Sequence, residues 1–171
     1  MKMTDLFLDE LAREANATRR ALERIPDGRS DWKPHPKSMS LGQLATLVSS
    51  LPSWIVTTVN QEELDMKPAG SPGYMPPPEL HTSRELVDAL EKHVSAAQEA
   101  LEKTNDRHLM MPWRFKVGGM VVSEEPRYQV IRDSVFNHLA HHRGQLTVYL
   151  RLNDASVPSI YGPSADDGHF G

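Results

Sequence analysis

The sequence of 171 residues contains no cysteine, which excludes disulfide bonds, thiolate metal ligands and a cysteine nucleophile. No apolar run approaches the roughly 20 residues of a membrane-spanning helix, and residues 1–6 lack the apolar core of a signal peptide. There is no glycine-rich dinucleotide or phosphate-binding motif and no nucleophile elbow. Lysine and arginine are scattered rather than gathered into the basic surface that nucleic-acid binding requires. These absences predict a cytoplasmic protein without a membrane or nucleic-acid partner.

The composition that is present is that of one globular domain. Hydrophobic residues make up 39% of the chain, charged residues make up 25%, and the formal net charge is −4. These fractions are typical of soluble proteins, and a chain of this length can bury a core of its own. We therefore predict a single domain over residues 1–171.

Apolar residues recur at three- and four-residue steps in four segments, the pattern of amphipathic helices. We predict helices over residues 4–25, 41–63, 82–103 and 126–152. Pro52 falls inside the second segment and removes a backbone donor, which predicts a kink. Thr82 and Glu85 have the spacing of a capping box at the start of the third helix, and Ser123 is a candidate cap for the fourth.

Two irregular insertions separate these helices. Residues 66–79 contain five prolines and cannot form a regular helix, so they make a long crossover. Residues 104–125 surround Gly118 and Gly119 and predict either a short hairpin or an ordered loop across the end of the helices. The fold class predicted from these features is all-α, a four-helix bundle with a long crossover and an irregular C-terminal tail packed on the bundle.

Three histidines lie within the predicted fourth helix. His138 and His142 are four residues apart, so both project from one face, on the apolar stripe of the helix. Two histidines that face a core need partners there. A metal ion is one candidate, because this spacing occurs in helical zinc sites, and a hydrogen-bond network is the other. His141 points to a different side, and we expect it and Arg143 on the polar side of the helix or in a subunit contact.

The motif His-Leu-Ala-His-His-Arg-Gly-Gln-Leu at residues 138–146, with residues 149–151 and 157–166, resembles the corresponding segments of DinB-like proteins. Residues 32–42 resemble a second segment of that family. The resemblance implies a four-helix bundle with a long crossover, often a homodimer. It also implies a divalent metal held by three histidines, one from the second helix and two from the last. Some relatives are thiol-dependent transferases or isomerases that act with bacillithiol or mycothiol.

This sequence departs from the family at one position. Family members commonly read Leu-Ala-x-His in the second helix, and Leu47 stands where that histidine is expected. The three-histidine site is therefore incomplete, and His138 and His142 are the remaining candidate ligands for zinc, nickel or iron, bound weakly or not at all. His93 on the third helix is a candidate replacement ligand, although a single histidine on an apolar face is more often hydrogen-bonded and structural.

Three functions stay open at this point. The resemblance implies a metal-dependent enzyme of the hydrolase or thiol-dependent transferase class. Trp54 and Trp113 are candidate walls of a pocket near the histidines, although aromatic residues at such spacing are more often part of the core. The alternatives are a non-catalytic bundle that binds a small molecule or a partner, and a structural dimer. We expect self-association as a homodimer. The sequence identifies neither the small-molecule partner nor a thiol cofactor.

Overall fold

The fold, given by a computed structural model that describes residues 2–168, is mostly helical. The α-helices are α1 (Met3–Leu22), α2 (Leu41–Ser50), α3 (Ser53–Asn60), α4 (Ser83–Lys103), α5 (Asp106–Leu109), α6 (Arg127–Ile131) and α7 (His138–Leu152). A π-helical segment, Arg132–Asn137, joins α6 to α7. The strands are β1 (Glu63–Asp65), β2 (Pro112–Val117) and β3 (Met120–Pro126). Within residues 2–168, no helix is both long enough and apolar enough to cross a membrane.

A proline divides the predicted second helix. α2 ends at Ser50, and α3 begins at Ser53 with Pro52 in its N-cap position. Because Pro52 has no N–H, it cannot continue the hydrogen-bond ladder of α2. The predicted kink is confirmed and takes the form of a break between two helices.

Local signals fix where α4 begins. The N–H of Glu85 donates to Thr82 Oγ1 at 3.2 Å, and the N–H of Thr82 donates to Glu85 Oε2 at 3.0 Å. This reciprocal pair satisfies two N–H groups that the first turn of a helix leaves without partners. The predicted capping box is confirmed.

The long helices pack side by side around a continuous core. α4 lies against α1, α2 and α3, while α7 lies against α1 and α2. One cluster of buried apolar side chains includes Leu22, Leu44, Leu86, Leu146 and Leu150. A second cluster includes Phe7, Ile55, Leu101, Ile131 and Phe136. Val94 of α4 contacts both clusters and joins them.

The prediction of an all-α fold is wrong, because a three-stranded sheet is present. β2 and β3 form an antiparallel hairpin, and β1 pairs parallel to β2. Gly118 and Gly119 form the hairpin turn with φ of +62° and +81°, a backbone conformation that favours glycine. The Asp65 carboxylate accepts the N–H groups of these two glycines at 2.9 and 2.7 Å. β1 is thereby tied to the turn, and the hairpin alternative for this region is confirmed.

The extent of β3 also corrects the predicted start of the last helix. Ser123 lies within β3 and caps no helix. Pro126 closes the strand, and α6 begins at Arg127. The last helical region therefore consists of α6, the π-helical segment and α7 in succession.

A buried charged group holds the C-terminal tail against α1. Arg143 of α7 is 1% exposed, and its Nη2 lies 2.6 Å from Glu14 Oε2. Its Nη1 donates to Thr18 Oγ1 at 3.0 Å. The Tyr161 hydroxyl donates to Glu14 Oε2 at 2.8 Å and also contacts the Arg143 guanidinium. The expected place of Arg143 on a polar side is wrong, because this arginine has a carboxylate partner inside the fold.

Candidate functional site

His138 and His142 lie one turn apart at the start of α7, and both are half-buried. Their Nε2 atoms are 2.8 Å apart, and their ring centroids are 4.6 Å apart. The four-residue spacing thus brings the two imidazoles together on one face of the helix. His141 is exposed, in keeping with its expected place on another side.

The outer nitrogen of each ring has its own partner. His138 Nδ1 lies 3.3 Å from the carbonyl oxygen of Ser134. A carbonyl oxygen only accepts, so this nitrogen carries the proton. His142 Nδ1 lies 2.8 Å from Gln145 Oε1, and the amide nitrogen of Gln145 lies 3.1 Å from His141 Nε2. With Gln145 in this orientation, the Nδ1 atoms of both paired histidines are donors.

Two neutral rings protonated at Nδ1 present lone pairs at Nε2, and those two atoms face each other. Lone pairs cannot hydrogen-bond to one another, so this arrangement calls for a cation between them, either a metal ion or a proton. The alternative is a rotated Gln145 amide that donates to His142 Nδ1. His142 Nε2–H would then donate to His138 Nε2. The orientation of the Gln145 amide therefore decides between two states of the pair. In one, both Nε2 lone pairs are free to bind a cation, and in the other, the two rings hydrogen-bond to each other.

Burial favours the neutral form of His142. Desolvation lowers the pKa of His142 below its usual value of 6.5, and the nearby rings of His138 and His141 lower it further, while the hydrogen bond with Gln145 acts in the opposite direction. A neutral imidazole is the form that binds metals. The local environment therefore keeps His142 in its ligand form near neutral pH.

His138 also lines a cavity of about 370 Å³, one wall of which is the β2–β3 hairpin. Trp113 pairs with Glu125 across the two strands, and Phe115 pairs with Ser123. Residues directly opposite each other, and residues two apart in a strand, share one face of a sheet. These four side chains therefore form one surface, and it faces the cavity.

The facing wall comes from α3 and from the helical region before α7. Trp54 of α3 lines the cavity together with Asp133, Ser134 and His138. Asp133 and Ser134 belong to the π-helical segment, a rare conformation that is frequent at functional sites. Trp54 and Trp113, both candidate pocket walls from the sequence, thus lie in one cavity with His138.

Leu47 lies on the partly buried side of α2 and packs against the cluster that contains Leu139 and Leu146. It lines a different cavity, of about 490 Å³, together with Tyr74 of the proline-rich crossover. Tyr74 in turn makes an edge contact with Trp54, with ring centroids 6.3 Å apart. The second cavity therefore adjoins the wall of the first.

His93, the candidate replacement ligand, makes a contact between two helices. Its Nδ1 lies 3.0 Å from the carbonyl oxygen of Ser49 and ties α4 to α2. Across the described part of the chain, no three His, Asp or Glu side chains lie close enough together to hold a metal ion. A metal bound at His138 and His142 would thus rely on water or a small molecule for its other ligands.

Glu125 and Asp133 were not among the site residues expected from the sequence. Both carboxylates line the cavity beside His138. Trp113 and Phe115 alternate along β2, and their partners Glu125 and Ser123 alternate in the same way along β3. That alternation would have placed Glu125 in the site if the strand register had been known in advance.

Known proteins resemble this chain in sequence and in fold. A family model described as the DinB family matches residues 1–169. A DinB-like protein from Bacillus cereus has a similar fold, with a TM-score of 0.69 and 23% identity over 91% of this chain and 95% of that chain. The DinB-like protein YjoA from Bacillus subtilis gives a TM-score of 0.63 and 17% identity over 87% and 92% of the two chains. No curated protein sequence matches the chain. The structural likenesses concern the fold alone, whereas the family model spans nearly the whole sequence. The chain belongs to the DinB family.

Proposed function

We propose that this protein binds a divalent metal ion through His138 and His142 and takes a small molecule in the adjoining cavity. The proposal treats α1, α2 with α3, α4, and α6 with α7 as the four helices of the family's bundle. The observation that carries it is the approach of two Nε2 atoms to 2.8 Å while both Nδ1 atoms face hydrogen-bond acceptors. Hydrogen bonds from Nδ1 are the usual way in which metal-binding imidazoles are oriented.

The distance between the two nitrogens is close to what a metal requires. With zinc–nitrogen bonds of about 2.0–2.1 Å and a tetrahedral angle, two ligand nitrogens lie about 3.4 Å apart. The Nε2 atoms of His138 and His142 are 2.8 Å apart, so a small rotation of either ring makes room for the ion. Desolvation lowers the pKa of His142, which favours the neutral ring that a metal ion binds.

Two protein ligands leave coordination positions for water and for a small molecule. A bound divalent metal would lower the pKa of a coordinated water or thiol and so supply a nucleophile near neutral pH. A metal centre of this kind is suited to a hydrolase or a thiol-dependent transferase. The chain's own part is to orient the two imidazoles and to surround the ligand with Trp54, Trp113 and Phe115, which line the cavity.

A second candidate is a metal-free module that binds a small molecule or a partner. It is favoured by Leu47, which fills the expected ligand position with hydrocarbon, and by the lack of a third metal-ligating group among residues 2–168. In this function the histidines form a hydrogen-bonded pair, and the cavity alone serves binding.

Calorimetric titration of tag-free protein with Zn²⁺ and Ni²⁺ separates the two candidates. The proposal expects binding that His142→Ala abolishes, because one imidazole alone is a weak ligand. His35→Ala is the matched control, because this exposed histidine lies in the loop before α2, where its Nδ1 accepts the N–H of Lys37 at 3.2 Å, and its loss should leave the metal affinity unchanged. Absence of binding to the wild-type protein, or equal losses in the two variants, would reject the metal function in favour of the metal-free module.

We also propose that the protein forms a homodimer. Val148 and Leu152 lie one turn apart on α7 and are 56% and 55% exposed, an apolar pair that a second copy could cover. Light scattering should give twice the mass of the chain at tens of micromolar, and a monomer mass would reject the dimer.

A further inference from the structure

Gln145 of α7 contacts two of the three histidines at once. It lies three residues after His142 and four residues after His141, the two spacings that bring side chains together on a helix. Its Oε1 lies 2.8 Å from His142 Nδ1, and its Nε2 lies 3.1 Å from His141 Nε2. The ring of His141 also meets that of His142 edge-on, with centroids 4.9 Å apart. The amide of Gln145 thus links the exposed ring of His141 to a ring of the proposed metal pair.

These contacts extend the pair into a chain of hydrogen-bonding groups with one fixed end. The chain begins at the carbonyl oxygen of Ser134, passes through His138, His142 and Gln145, and ends at His141. A carbonyl oxygen only accepts, so a neutral His138 carries its proton on Nδ1 and its Nε2 is an acceptor. The protons of the other groups in the chain have to suit this end.

With neutral rings, two arrangements of protons satisfy Gln145 at both ends. In the open arrangement, the amide oxygen accepts from His142 Nδ1–H, and the amide N–H donates to an unprotonated His141 Nε2. In the closed arrangement the amide is rotated, so its N–H donates to His142 Nδ1 and its oxygen accepts from His141 Nε2–H. His142 Nε2–H then donates to His138 Nε2. Both arrangements hold the same number of protons, so no ring has to become charged.

The two arrangements differ in what the histidine pair can bind. The open one leaves two lone pairs that face each other across the 2.8 Å between the Nε2 atoms of His138 and His142, which is favourable only with a cation between them. The closed one joins these two atoms by a hydrogen bond and leaves neither of them free for a metal ion. The closed arrangement is therefore the stable one without a metal, and the open arrangement is the one that binds a metal.

We propose that Gln145 is a positioning residue for the metal site and that His141 is coupled to it. Rotation of the Gln145 amide moves the proton of His142 from Nε2 to Nδ1 and moves the proton of His141 in the same direction. This inference rests on the proposed metal function, to which it adds a switch between a metal-free pair and a pair ready to bind. It gives His141 a part in the site although it is not a ligand.

Nitrogen-15 NMR at about pH 8, where imidazoles are mostly neutral, identifies the nitrogen of each histidine that carries the proton. In EDTA, His141 and His142 of the wild-type protein should both be protonated at Nε2. With Zn²⁺, His142 should carry its proton on Nδ1, and His141 should move its own proton to Nδ1. A histidine that merely lies near the metal would keep its proton on the same nitrogen.

Two substitutions of Gln145 test the coupling. Gln145→Glu offers only acceptors, so it should hold the His142 proton on Nδ1 and the His141 proton on Nε2, both in EDTA and with Zn²⁺. Gln145→Met keeps the length of the side chain without either hydrogen bond. It should weaken Zn²⁺ binding by about tenfold or more, because loss of an outer-shell partner of a metal ligand typically costs roughly 10–100-fold in affinity.

Gly144→Glu is the control for the added charge. Gly144 is exposed and lies two positions from His142, so a side chain there projects from another side of the helix. In this variant the His141 proton should shift with Zn²⁺ as it does in the wild-type protein. Circular dichroism confirms that each variant is folded.

Two results would overturn the proposal. One is a His141 proton that stays on the same nitrogen when Zn²⁺ binds to the wild-type protein. The other is a His142 proton that lies on the same nitrogen in EDTA in the wild-type protein and in Gln145→Glu. The second result needs no metal, so it decides the role of Gln145 even where the calorimetric titration rejects the metal function. Conversely, Zn²⁺ binding that His142→Ala abolishes, without a shift at His141, would support the metal function and reject the positioning role.

Discussion

Replacing Arg143 with methionine should destabilise the fold more than any change to a surface arginine. The substitution keeps the aliphatic stem and removes the guanidinium, whose Nη2 lies 2.6 Å from Glu14 Oε2. The Glu14 side chain is only 11% exposed, so its carboxylate would stay buried without a counter-charge. Removing one partner of a buried ion pair costs about 3–5 kcal/mol. Thr18 Oγ1 also loses the donor that it has in Arg143 Nη1, whereas the main-chain carbonyl of Glu14 keeps the Thr18 hydroxyl as a donor, so the expected loss lies within that range.

Urea denaturation followed by far-UV circular dichroism measures this loss as a lower midpoint at unchanged slope. Arg151→Met is the matched control on the same helix, because Arg151 pairs with Asp166 at the surface, with 50% of its side chain exposed. Its midpoint should barely move. The double variant Glu14→Leu with Arg143→Met leaves no charge unpaired and should recover much of the loss. A loss of less than about 1 kcal/mol in Arg143→Met, the size typical of an exposed pair, would refute the reasoning.

Three further predictions concern the helices and the histidine pair. Gly144→Ala should raise the free energy of unfolding by about 1 kcal/mol, because alanine favours helix and the added Cβ meets no atom within 4 Å. In Gly42→Ala the Cβ would meet the carboxylate end of the Glu79 side chain, which would have to move away, so the gain should be smaller. The pKa of His142, followed by NMR, should lie below 6.5 because of desolvation. The stability that the neutral ring contributes is present above that value and lost as pH falls through the folded-state pKa; a raised pKa would contradict this. Leu47→His should increase Zn²⁺ affinity by adding a third imidazole, and an unchanged affinity in a folded variant would end the interpretation of Leu47 as a lost ligand.

Features set by neighbouring residues could be predicted from the sequence. The capping box of Thr82 and Glu85 depends on a three-residue spacing, and the break at Pro52 depends on a missing N–H. The contact between His138 and His142 follows from the geometry of a single helical turn. In each case the interacting groups lie within a few residues of each other, so the local sequence is enough to predict the contact.

Features that join distant segments could not be predicted in the same way. β1 has only three residues, too few to show alternation, and its pairing with β2 replaces the end of a predicted helix. The π-helical segment has no distinctive composition. Arg143 looked like a surface residue because arginine is mostly exposed, and its partner Glu14 lies 129 residues earlier. The walls of the cavity likewise meet only once α3 and the hairpin have come together.

The group formed by Glu14, Arg143 and Tyr161 also determines when, during synthesis, the chain can complete its fold. Glu14 leaves the ribosome 129 residues before Arg143 and 147 residues before Tyr161. Until the last part of the chain emerges, α1 exposes a carboxylate whose final place is inside the protein. Contacts between such distant residues slow folding, because a long loop must close before they form. Formation of this buried group should therefore be a late event that awaits nearly the whole chain, although α1 can already pack against α4.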